Sequence, residues 1–100
     1  MELHWTDNAI DSFDETLAYW KRRNKSNSYS EKIALAVFEA EKEIKEDPYR
    51  SDEYSEKLRT HRKALLDRKF SLFYEINVEK DIILITHFRS AKQKPLFSQN

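Results

Sequence analysis

His87 and Arg89 stand two residues apart in the run Ile82–Arg89, which reads as a β-strand, so their side chains leave the same face of a sheet. Histidine is the side chain that titrates near neutrality, and arginine contacts phosphate or carboxylate through two parallel hydrogen bonds. Together they can form a phosphate-contacting pair, with His87 as general acid or base; a solvated face of ordinary polar pairs is the plainer alternative. His61 would join them if the neighbouring strand has the right register. Arg62, Lys63, Arg68 and Lys69 form a dense basic cluster around a strand turn. Such a cluster serves target binding or the docking of an acidic segment, or else protects a sheet edge from further pairing. Phe73 shares the parity of Ser71 and Glu75, which predicts an aromatic ring on the open face, able to stack on a base or lie beneath a partner. Lys92 and Lys94 extend the basic character past the last strand.

Several chemistries are excluded by composition. The chain has no cysteine, which removes thiol catalysis, disulfides and cysteine-ligated zinc. It has no glycine, where average usage would supply about seven per hundred residues. Gly-rich phosphate cradles are thereby excluded, and no nucleotide cofactor is expected. The three histidines lack metal-ligand spacing, so no metal is expected either. With 39% hydrophobic and 36% charged residues, the 100-residue chain reads as one globular domain. No apolar run approaches membrane-spanning length and the N-terminus is not signal-like, so a cytoplasmic location and no membrane partner are expected. The net charge is zero but uneven: residues 1–50 carry 8 basic and 11 acidic groups, residues 51–100 carry 10 and 7. From Lys57 to Lys69 six basic groups oppose Asp67 alone, a local field that steers anionic partners.

The elements that must position these residues follow from periodicity. Glu2–Thr6 alternates and predicts a short strand, with Asp7 as the N-cap of a helix whose stripe is Ile10, Phe13, Leu17 and Trp20. Ser28 and Glu31 have capping-box spacing before a second helix, about Glu31 to Glu46, with a stripe of Ile33, Val37, Ala40 and Ile44, closed by Asp47-Pro48. Pro48–Leu58 predicts a polar loop. Strands follow at about Thr60–Leu66, Phe70–Ile76 and Ile82–Arg89. In the second, Phe70, Leu72, Tyr74 and Ile76 face the core; in the third, Ile82, Leu84, Thr86 and Phe88 share one side and His87 and Arg89 the other. The predicted class is α+β: a short N-terminal strand, a two-helix hairpin, then a three-strand antiparallel meander.

This organisation resembles the RelE/ParE superfamily of bacterial type II toxins, also known as plasmid stabilisation proteins. Trp5-Thr6 with Ala9 is similar to the family's W-T-x-x-A entry into the first helix. Phe70 to Ile76 is similar to its Y-R-I-F-Y-E-V strand, and Phe88 to Pro95 to its closing V-x-H-x-R-x-x-P tail. The likeness spans nearly the whole chain and implies a single β-α-α-β-β-β domain over residues 1–100, with residues 92–100 as a short C-terminal tail.

The resemblance implies a toxin neutralised by a cognate antitoxin, usually encoded beside it. One branch of the family arrests growth by binding DNA gyrase; the other cleaves mRNA on the ribosome. Fold alone does not choose between them. Ser71 stands where many members carry Arg and Ser90 where many carry His, and no Tyr or His lies in the last ten residues to match the terminal acid/base pair of the nuclease members. Arg89 and Lys92 do match basic positions of the tail. The expectation is a ParE-like toxin acting by binding, with a ribosome-dependent endoribonuclease using His87, Arg89 and His61 as the alternative, and a non-toxic binding module as the third.

Overall fold

The structure, a computed structural model, describes residues 1–93. Seven elements follow one another: β1 (Glu2–Trp5), α1 (Asp7–Asn24), α2 (Ser28–Glu46), β2 (Glu53–Ser55), β3 (Thr60–Leu65), β4 (Phe70–Asn77) and β5 (Ile82–Ser90). The strands form one sheet in the order β1-β5-β4-β3-β2, with β1 parallel to β5 and every other pair antiparallel. The predicted meander is thus β3-β4-β5, extended by a strand at each edge. Both helices cover one face of the sheet, and the α+β, RelE/ParE-like order is present. Among the described residues no helix is long and apolar enough to cross a membrane.

The segment Pro48–Leu58 is not wholly a loop, because β2 lies within it and pairs with β3. Asp52 prepares that pairing: its amide donates to the Arg62 carbonyl at 2.9 Å, and its carboxylate accepts from the Ala64 amide at 2.7 Å. Three polar edge residues carry too little hydrophobic alternation to announce a strand.

Helix α1 is capped by Thr6, not by Asp7. Thr6 is extended, and its Oγ1 accepts the Ala9 amide at 3.1 Å. Ala9 is fully buried while Ile10 is 41% exposed, so the inward stripe is Ala9, Phe13, Leu17 and Trp20, one residue out of the predicted phase at its start. Helix α2 begins at Ser28, earlier than predicted, and makes no Ser28–Glu31 capping box. Its N-cap Asn27 makes no side-chain cap bond; Ser30 Oγ donates back to the Asn27 carbonyl at 2.9 Å. Its predicted stripe of Ile33, Val37, Ala40 and Ile44 is buried.

An aromatic series fills the helix–sheet interface. Phe13 lies 5.5 Å from Trp5 and 5.3 Å from Phe88, and Phe88 stacks on Phe70 at 5.6 Å. The Trp5 indole donates to Glu41 at 2.7 Å, tying β1 to α2.

One irregularity decides which residues face the site. Phe73 pairs with His87, but Tyr74 pairs with Ile85, leaving Thr86 as an extra residue in β5. The core residues of β5 are therefore Ile83, Ile85 and Phe88, not the predicted set of Ile82, Leu84, Thr86 and Phe88. Residues 83, 85, 87 and 89 have one parity, so a regular strand would put His87 and Arg89 in the core with the isoleucines. The bulge turns them to the other face.

Candidate functional site

The face of the sheet opposite the helices carries two cross-strand rows. Arg62, Phe73 and His87 are register partners across β3, β4 and β5; Ala64, Ser71 and Arg89 form the next row. Arg62 crosses between them. Its Nε donates to Ser71 Oγ at 3.0 Å, and one terminal nitrogen donates to Glu53 on β2, also at 3.0 Å. These bonds hold the guanidinium in one orientation, and Glu53 partly neutralises it. An anionic ligand would compete with Glu53 for this cation.

Phe73 is not the bare ring that its parity predicts. It is only 4% exposed, and the His87 ring approaches it edge-on at 6.3 Å. It serves as an apolar floor between Arg62 and His87, not as a stacking platform.

His87 is half-buried. Burial, and after it the Arg89 charge, holds its pKa below the ordinary 6.5, with Glu75 acting in the opposite direction. The ring is therefore neutral at neutral pH. Its Nδ1 lies 3.1 Å from Thr86 Oγ1, and that hydroxyl donates to the Phe73 carbonyl at 3.3 Å. With that one hydroxyl proton directed to the Phe73 carbonyl, Nδ1 is the donor and Nε2 carries the lone pair. The bulge residue sets the tautomer as well as the facing. Nothing in the local sequence Ile85-Thr86-His87 announces this role for Thr86, and Glu53 as a partner for Arg62 becomes visible only with β2 in place.

The sequence pattern allows His61 and Lys63 to reach this group; the register does not. Both lie on the helix-covered face, because His61 pairs with Tyr74 and Lys63 with Leu72. His61 is buried and stacks on Tyr74 with centroids 5.1 Å apart, its Nδ1 is 2.9 Å from Ser51 Oγ, and Tyr54 and Tyr49 flank it at 4.5 and 6.2 Å. Burial lowers its pKa as well. The Tyr74 hydroxyl donates to the Pro48 carbonyl at 2.7 Å, and burial is the main cause that pushes its pKa up to about 12. Lys63 bonds to Glu43 of α2 at 2.7 Å.

Arg68 and Lys69 sit at the tip of the β3–β4 hairpin, apart from the two rows. Lys69 lines an open cavity of about 910 Å³ with Arg22, Lys92, Trp20, Tyr29 and Phe88, at the end of the helix–sheet interface. Lys69 and Lys92 therefore share this cavity, which His87 does not line. Lys94 and most of the tail 92–100 lie outside the described residues. Among the described residues no group of three or more His, Cys, Asp or Glu side chains could hold a metal ion.

The candidate group on the open face is Arg62, Ser71, His87 and Arg89 around Phe73. It combines two guanidinium groups with a neutral imidazole, a combination suited to a phosphate or carboxylate.

No protein-family model matches the chain, and no curated protein matches it. Among solved structures, the chain is similar to a chain described as "Chromosomal ParDE TA system from P. aeruginosa", with a TM-score of 0.74 and 17% sequence identity, covering 92% of this chain and 97% of that one. The fold is RelE/ParE-like. At this identity the likeness concerns backbone architecture, and the site described above is built from this chain's own side chains. Within the RelE/ParE-like frame, Arg62 lies on β3 and His87 and Arg89 on β5, the two strands that flank the central β4.

Proposed function

We propose that this protein is the toxin component of a type II toxin–antitoxin system, neutralised by a cognate antitoxin, and that it arrests growth by binding an essential target, with DNA gyrase as the ParE-like candidate. The observation that carries the proposal is the shared fold with a chain of a ParDE TA system over 92% of this chain. Arg62, Arg89 and the hairpin cations Arg68 and Lys69 supply the contacts to an anionic surface.

Binding is favoured over cleavage by where the histidines lie. RNA cleavage needs one group to take the 2′-hydroxyl proton and another to protonate the leaving oxygen, each with a pKa near operating pH. His61 sits on the far side of the sheet from His87, so the expected pair is split. A zero net charge also suits a protein target better than a ribosomal one.

A second reading rests on one feature. The neutral His87 ring offers Nε2 as a base beside Arg89, which suits a ribosome-dependent endoribonuclease. Induced expression in a bacterium, with separate readouts of DNA supercoiling and of mRNA integrity, separates the two. Growth arrest with inhibited supercoiling and intact mRNA supports the binding toxin. Cleaved mRNA, abolished by His87→Ala with Arg89→Ala, supports the nuclease. Unimpaired growth leaves a non-toxic binding module.

A further inference from the structure

Helix α2 buries one stripe and exposes another. On its outer face Leu35 is 60% and Phe38 is 56% exposed, large apolar side chains directed away from Ile33, Val37, Ala40 and Ile44. Glu31 and Lys42, both exposed, continue the same line, so Glu31, Leu35, Phe38 and Lys42 follow one another at intervals of four, three and four residues. That is the spacing of a helix–helix seam. The order along the seam is acid, apolar, apolar, base. Lys42 already leans over Phe38, its Nζ 5.6 Å from the ring centroid, and its exposed pair with Glu39 of the same helix, at 3.9 Å, is loose enough to exchange for another carboxylate. Beside the seam Ile10, 41% exposed, extends the apolar patch, and together with Ala34 and Phe38 it lines a shallow cavity of about 510 Å³.

The order is its own complement when reversed. If a second α2 runs antiparallel across the seam, Leu35 of each copy faces Phe38 of the other, and Glu31 of each meets Lys42 of the other at both ends. A parallel pairing would set Glu31 against Glu31 and Lys42 against Lys42. A second copy matches this order at both ends at once by two-fold symmetry. We infer that the outer face of α2 is a homodimer interface, in which two copies pair their α2 helices antiparallel about the Leu35–Phe38 centre. One helix pair is a small contact, below the roughly 1,200 Å² of stable specific interfaces. The dimer is accordingly weak and concentration-dependent.

The test is sedimentation equilibrium of the full chain from micromolar to millimolar concentration. The wild type should show a reversible monomer–dimer equilibrium. Glu31→Lys and Lys42→Glu, both at exposed positions, should each raise the dimer dissociation constant by about tenfold, with circular dichroism unchanged. An equimolar mixture of the two variants should restore dimerisation, because opposite charges then meet at both ends. The proposal is overturned by a wild type that remains monomeric throughout, by variants that dimerise as well as the wild type, or by a mixture no more dimeric than its components.

Discussion

Thr6 Oγ1 donates to the Thr86 carbonyl at 3.2 Å, joining the residue that caps α1 to the bulge that turns β5. The same Thr6 oxygen accepts the Ala9 amide, and the Thr6 amide donates to the Ile85 carbonyl at 2.9 Å. A cap near the start of the chain thus braces the backbone that presents His87 and Arg89. Replacing Thr6 with Val removes the cap and the side-chain half of the brace, while the backbone bond to Ile85 remains. Equilibrium denaturation should show a loss of about 1–2 kcal/mol, and hydrogen exchange should quicken selectively at residues 85–87. A uniform change along β5 would show that Thr6 does not brace the bulge.

The imidazole of His87 should be the Nδ1–H tautomer in the wild type, readable from its ring nitrogen shifts by NMR. Thr86→Val keeps the shape of the side chain but withdraws the oxygen, so the ring should shift toward a mixture of tautomers. An Nε2–H ring in the wild type would contradict the assigned hydrogen bonding.

Stability should fall on both sides of a neutral plateau. His61 and His87 have folded-state pKa values below the ordinary 6.5. As pH drops through 6.5 the unfolded chain takes up protons first, so stability is lost from there down to the folded values. Tyr74 titrates at about 12 instead of 10.0, so above pH 10 the unfolded chain releases its proton first and stability falls as pH rises. His87→Gln should flatten part of the acid limb. Arg89→Gln should raise the His87 pKa, since Arg89 lowers it, and titration by NMR reads this directly.

Adjacent cations on opposite faces should separate function from packing. Lys63→Met removes a partly exposed ion pair with Glu43 and should change stability by about 1 kcal/mol or less. It should leave growth inhibition intact. Arg62→Ala, one residue away on the open face, should weaken it. Equal effects on growth inhibition from the two substitutions would show that the open face is not the working surface.

The β3–β4 hairpin carries three consecutive non-glycine residues in the left-handed region: Leu66, Asp67 and Arg68, with φ of 47°, 55° and 65°. Each such residue costs roughly 1–2 kcal/mol in this conformation, offset in part for glycine by its greater chain entropy. Arg68→Gly should stabilise the fold by about 1 kcal/mol, a rise of about 4–8 °C in melting temperature for a domain of this size. A fall would mean that the Arg68 side chain contributes more than its backbone costs.

The sequence by itself determined the elements whose signal is local. The 3.6-residue recurrence of Phe13, Leu17 and Trp20 and of Ile33, Val37 and Ile44 specifies two helices. The alternation of Phe70, Leu72, Tyr74 and Ile76 specifies a strand and its core face. The absence of glycine and cysteine excluded whole classes of site, and the order of elements was enough for the fold class. Only the tertiary structure decided the rest, because each remaining feature depends on pairing between distant segments. β2 exists because Asp52 and Glu53 find β3. Phe73 is covered although its parity points outward. His61 and Lys63 fall on the helix side because register, not composition, assigns a face. Above all, one extra residue in β5, braced by Thr6 from the other end of the chain, reverses the parity of everything after it and brings His87 and Arg89 out of the core.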